Sequence, residues 1–186
     1  MRFVTLVSAV VVCLSTAAYA QAWSEYVNRE EFFTVNFPGD PTVKEIPYKT
    51  EKGTALKAKV FTANAPAGSI TAGRYAMTVV DYSSAPAEIA TAVAEASKTY
   101  RAKGNPTYDD TGNVDRIKTQ RQTIETSNMT YIMTEILAHG TRLYIVEAET
   151  AMNVPPPAQF QASVQILDEA GERIRYENDG VTRVRR

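Results

Sequence analysis

The sequence predicts an α+β protein: an α/β/α sandwich whose mostly antiparallel sheet of about six strands is flanked by two main helices. Three observations lead there. Residues 33–37 and 54–63 alternate apolar and polar side chains at the two-residue period of a strand. Residues 74–82 are apolar or aromatic on both faces, so that strand needs cover on both sides. Helical patterns follow it twice, separated by a meander of strands, and that order favours antiparallel neighbours.

The chain opens with a leader. Arg2 supplies a positive charge, residues 3–14 are almost wholly apolar, and Ala18-Tyr19-Ala20 closes the segment. This is the pattern of a secretory signal peptide cut between Ala20 and Gln21. The apolar run is shorter than the roughly 20 residues that span a bilayer. Cys13 follows Val12 rather than a small residue, so lipidation is not expected, and it leaves with the leader. The mature chain then carries no thiol nucleophile and no cysteine-based metal site. Residues 21–172 make one domain, followed by a basic C-terminal arm at 173–186. The formal net charge of −1 gives no sign of a nucleic-acid binder.

Within the domain, Phe33, Val35 and Phe37 point one way, and Pro38-Gly39-Asp40-Pro41 turns the chain as a corner. Pro47 marks the next extended piece as an edge strand. Leu56, Ala58 and Val60 share a face opposite Lys57 and Lys59. Ser84 is the expected N-cap of a helix with Pro86 in its first turn and a buried stripe of Ile89, Val93, Ala96 and Tyr100; Gly104-Asn105-Pro106 stops it.

Residues 117–126 form a polar, peripheral strand. Residues 129–137 and 142–149 form a hairpin about a turn at Ala138-His139-Gly140-Thr141. Tyr131, Met133, Leu143 and Ile145 are expected on one of its faces and Ile132, Tyr144 and Val146 on the other. A second helix starts near Pro155-Pro156-Pro157, turns Phe160, Ser163, Ile166 and Leu167 to the sheet, and ends at Gly171.

Candidate chemistry is sparse. His139 is the only histidine, and its place in a hairpin turn makes it an exposed turn residue rather than a catalytic base. There is no G-x-S-x-G elbow and no H-E-x-x-H pair. Residues 109–115 gather Asp109, Asp110, Asn113 and Asp115 about Gly112, but their spacing misses the calcium-loop pattern and lacks its closing Glu. Glu135 and Glu147 are the carboxylates to watch: convergence in a deep cleft would favour an enzyme, although both are expected on the wet part of neighbouring strands. The arm holds Arg173, Arg175, Arg183, Arg185 and Arg186, candidates for docking an acidic partner or making a weak contact with an anionic surface. Tyr48, Tyr108 and Tyr176 fall in predicted loops or the arm, where recognition and packing readings both stay open.

The leading F-x-V-x-F-P-G-x-P, the late R-L-Y-I-V-E-A, and the proline-rich turn running into Phe160 and Ser163 resemble the Mog/PsbP-like α/β/α sandwich and its small secreted bacterial relatives. The resemblance covers most of the mature chain and implies a non-enzymatic accessory or interaction module. It brings no shared catalytic residues. Partners in that family range from photosystem II to a small GTPase to envelope components, and the single histidine departs from the histidine-based metal binding of the photosynthetic branch.

The expectation is an exported, non-enzymatic binding or accessory module of the cell envelope. It would be periplasmic in a Gram-negative host and secreted otherwise, with no cofactor, no metal site and no catalytic residues. Its partner would be a protein or envelope component and not a nucleic acid, with no transmembrane segment left once the leader is removed. The alternatives are an enzyme with a hidden carboxylate, Tyr or Arg site, and a structural subunit of an envelope complex.

Overall fold

The computed structural model describes residues 23–155, 158–177 and 182–184. The expected leader with Cys13, the expected cleavage point between Ala20 and Gln21, and Arg185 and Arg186 lie outside the described residues.

Ser24–Asn28 (β1) and Phe33–Phe37 (β2) pair antiparallel, with Tyr26 opposite Val35. The chain leaves β2 through the expected corner, where Gly39 has φ 112°. It then enters a larger sheet with Thr42–Lys49 (β3), Ala55–Ala65 (β4) and Gly73–Asp81 (β5). A single turn of 3-10 helix at Pro86–Glu88 leads into the helix Ile89–Arg101 (α1). Four strands follow: Asn105–Val114 (β6), Ile117–Glu125 (β7), Thr130–His139 (β8) and Arg142–Ala151 (β9). Ala158–Ala162 (α2) and the two-residue strand Gln165–Ile166 (β10) come last.

The result is mostly β and not an α/β/α sandwich. Seven antiparallel strands run in the order β3-β4-β5-β9-β8-β7-β6, and a second sheet runs β1-β2-β10. One face of the large sheet is covered by α1; the other is covered by the small sheet and α2. The doubly apolar β5 is central, as expected, with Tyr75, Met77 and Val79 facing the small sheet and Val80 facing α1.

The second expected helix is the element that fails. After the five residues of α2, the backbone extends, because β-branched Val164 and Ile166 alternate with Gln165 and the free edge of β2 offers a ladder. Ile166 pairs with Phe33, and the Leu167 amide donates to the Phe32 carbonyl at 2.8 Å.

The covers are staggered. On β4, even-numbered Leu56 and Ala58 pack under α1, while odd-numbered Phe61, Ala63 and Ala65 pack under the small sheet further along. The aromatic cluster there is dense: Trp23 lies 4.9 Å from Tyr75, Phe33 5.1 Å from Phe61, and Tyr75 5.1 Å from Phe160, between ring centroids. Aromatic pairs at such spacings add stabilisation beyond the area they bury.

On α1 the buried line is Ala92, Ala96, Ser97 and Tyr100, with Ile89 and Val93 on its flank. Alanines at the centre let the helix lie close to the sheet. Its start has no side-chain cap, so Ser84 does not serve as the expected N-cap. Gly104 does more than stop the helix: a Cβ there would sit 2.2 Å from the Glu125 carbonyl oxygen.

The β8–β9 hairpin corrects the expected faces. Only Gly140 and Thr141 separate the strands, so His139 stands opposite Arg142 and every odd residue of β8 meets an even residue of β9. Met133 and Leu137 therefore share a face with Tyr144 and Val146, and Ile132 and Ile136 with Leu143 and Ile145. Gly140, at φ 58°, takes the first central position, where a II′ turn places its glycine.

Candidate functional site

Glu135 and Glu147 are both buried, at 0% and 8% exposure, and neither lies on a wet surface. They are in adjacent strands, but Glu135 stands opposite Val146 and Glu147 opposite Thr134, which puts them on opposite faces of the sheet. They do not converge.

Glu147 lies under the end of α1. The Tyr100 hydroxyl and the Arg74 guanidinium donate to it, and the Lys103 ammonium is 3.6 Å away. Lys103 also lies over the Tyr100 ring, 3.9 Å from its centroid. Burial pushes the Glu147 carboxyl up, but the Tyr100 hydrogen bond, Lys103 and Arg74 outweigh it and hold the group below the usual carboxylate range. Burial, and then the Glu147 charge, push the Tyr100 phenol well above its ordinary value.

Glu135 faces the other way. Its Oε1 accepts from Thr119 Oγ1 at 2.9 Å and Arg121 Nε at 3.0 Å, while its Oε2 is buried without a hydrogen-bond partner among the described residues. Arg121 is its direct partner in the β7–β8 ladder, and on the β6 side Gly112 leaves room for the pair: a Cβ there would meet both Arg121 Nε and Thr119 Oγ1 at 2.8 Å. Glu135 lines a half-enclosed cleft of about 300 Å³ between the outer strands and α2, together with Tyr108, Arg121, Met133, Ala158 and Gln161.

A larger, more open cleft of about 620 Å³ lies where the β8–β9 turn meets Phe32 and the chain after β10. Arg142 forms one wall. Its Nε donates to Glu31 Oε2 at 3.2 Å, and its guanidinium lies 4.7 Å from the centroid of Phe32, a residue with φ 57°. His139 is half-buried at the end of β8 rather than exposed in the turn, with Nε2 2.9 Å from the Tyr176 hydroxyl. Burial, and then Arg183, push its pKa down.

The candidate arm residues divide. Arg173 makes a bidentate pair with Asp115, at 2.7 and 2.8 Å, and Arg183 pairs with Asp168. Arg175 is half-buried and its carbonyl accepts from the Val184 amide at 2.8 Å. Ile174, 4% exposed, belongs to the core. The described part of the arm is thus folded onto the domain. Asp109 and Asp110 are on strand β6, not in a loop. The Asp109 carboxylate takes Arg101, Gln120 and Gln122, and Asp115 belongs to the separate pair with Arg173. Among the described residues no group of three or more His, Cys, Asp or Glu is placed to hold a metal ion, and no helix is long and apolar enough to cross a membrane.

Of the three uncertain tyrosines, Tyr48 packs beside the core under α1, Tyr176 bonds His139, and Tyr108 is 49% exposed at the small cleft. Glu135 was missed as a buried residue, yet the sequence holds the signal: Met133 and Leu137, two residues either side, make the same face apolar.

No protein-family model matches this chain, and no curated protein matches it.

Proposed function

We propose that this protein is an exported binding or accessory module of the cell envelope and not an enzyme, and that it docks its partner at the cleft between the β8–β9 turn and the C-terminal segment. One observation carries the reading. The two buried carboxylates stand on opposite faces of the sheet, each held by an arginine, so they supply clamps rather than an acid–base pair. The wider cleft by contrast offers mixed recognition groups at its surface: Phe32, Arg142, Asp168, Glu169 and Arg183. Such a mixture of an aromatic, arginines and acids suits the rim of a protein interface. Export rests on the leader pattern of residues 1–20, and kinship with the Mog/PsbP-like proteins rests on the motifs that resemble them.

The test is photo-cross-linking in cells, with the reactive group placed at Glu169, exposed on the cleft, or at Val43, 53% exposed on the far edge strand. A discrete adduct from Glu169 that Val43 does not give is the expected result. The same pattern from both positions removes the cleft as a docking surface.

A further inference from the structure

The smaller cleft carries an inference beyond that docking surface and independent of it. Its lining contains one acid, Glu135, and one base, Arg121, joined at 3.0 Å; the rest is neutral. Each of the two has unused capacity. Glu135 keeps Oε2 without a partner in a site shielded from solvent, and Arg121 uses only its Nε, leaving both Nη groups without a hydrogen bond among the described residues. Buried polar groups are normally satisfied, so an unpartnered carboxylate oxygen on a side chain that lines a cleft calls for a donor there. The arrangement is also built: Arg121 stands directly opposite Glu135 in the β7–β8 ladder, and Gly112 leaves the space that the Arg121 side chain occupies.

We propose that this cleft binds a small zwitterion, a free α-amino acid with an apolar side chain. The ammonium would donate to Glu135, and the carboxylate would take the Arg121 fork, which suits planar two-oxygen acceptors. Met133, Ala158 and Ala162 supply apolar lining for the side chain, and Tyr108 stands beside them. Net charge selects this class. The lining sums to zero, so a simple cation is repelled by Arg121 and a simple anion by Glu135, while a zwitterion meets an opposite charge at each end. Spacing selects it further. Glu135 and Arg121 are in direct contact, which matches charges carried on one α-carbon and not the separated ends of a peptide. The volume of about 300 Å³ is at the small end of ligand sites.

The experiment is calorimetric titration of the purified protein with L-methionine, L-leucine and L-phenylalanine, alongside N-acetyl-L-methionine and L-methioninamide, each lacking one charge. Saturable millimolar-or-better binding of at least one free amino acid, weakened at least about tenfold by either cap and by Glu135→Gln, supports the site. No saturation by any of the three, or equal binding of the capped forms, overturns it. Should Glu135→Gln fail to fold, Tyr108→Ala and Gln161→Ala at the cleft take its place. Unaltered binding in both then overturns the assignment. Because the wider cleft is untouched by these variants, a negative result here leaves the cross-linking test at Glu169 standing.

Discussion

Glu135 and Glu147 are neighbours through the β8–β9 ladder, yet the sheet itself stands between their side chains. One faces α2 and the small sheet; the other faces α1. The relationship decides how each carboxylate behaves. Glu147 is closed in by a phenol and two cations, whereas Glu135 keeps an oxygen unused.

Tyr100→Phe removes the one hydroxyl that donates to buried Glu147 while keeping the ring under Lys103. Leaving a buried acceptor short of a partner costs about 1–3 kcal/mol. Urea denaturation is expected to show a loss of that size with an unchanged slope against denaturant.

Acid is expected to weaken the fold through Glu147. Its folded-state pKa is below the ordinary 4.5, so the stabilisation is complete above that value and drains away as pH falls through the lower, folded-state pKa. Unfolding midpoints followed from about pH 6 down to about pH 3 should fall, and Glu147→Gln should flatten that fall while lowering stability at neutral pH.

The two glycines that allow close approach are expected to differ in tolerance. A methyl at Gly104 meets the Glu125 backbone oxygen at 2.2 Å, and backbone within a ladder does not give way. A methyl at Gly112 meets side-chain atoms of Arg121 and Thr119 at 2.8 Å, which can swing aside. Overpacking costs about 1–3 kcal/mol, and Gly104→Ala should fall at or beyond the upper end, Gly112→Ala at the lower. Thermal melts of the two variants side by side would check the order.

Ile174→Ala tests whether the C-terminal segment is part of the domain. The residue is 4% exposed within the core, so truncation should cost about 2–4 kcal/mol. A solvated tail would give no change in the melting temperature.

Much of this fold was legible in the residues. Alternation located β2 and β4, aromatic and β-branched content located the hairpin strands, the two-faced run at 74–82 located an inner strand of the large sheet, and Pro47 marked an edge. What escaped has identifiable causes. Phe160, Ser163, Ile166 and Leu167 fit a helical stripe, but the empty edge of β2 offered residues 165–166 hydrogen bonds that local pattern does not reveal. Residues 109–115 read as an acidic loop, although 109–114 belong to β6, because an edge strand exposes most of its side chains and has no apolar alternation to display. The hairpin faces were misassigned because odd residues of both strands were grouped together, although a two-residue or a four-residue turn sets odd residues of β8 beside even residues of β9; an offset of one is enough to invert a strand's two sides. The small cleft was invisible for a different reason: Tyr108, Arg121, Glu135 and Gln161 come from three strands and a helix, and only the completed topology gathers them.

The small sheet also sets an order of events. Its ladder joins β2, near the start of the described chain, to β10, near the end, and Ile166 and Ile174 fill the layer that covers Phe33 and Phe61. A nascent polypeptide that has not yet reached residue 174 leaves that aromatic layer open on one side. Its final closure joins residues far apart in sequence, and closures of that kind are slow. Chains that stop short of residue 174 are therefore expected to be sticky, and residues 165–174 act as the clasp that takes them out of reach of one another.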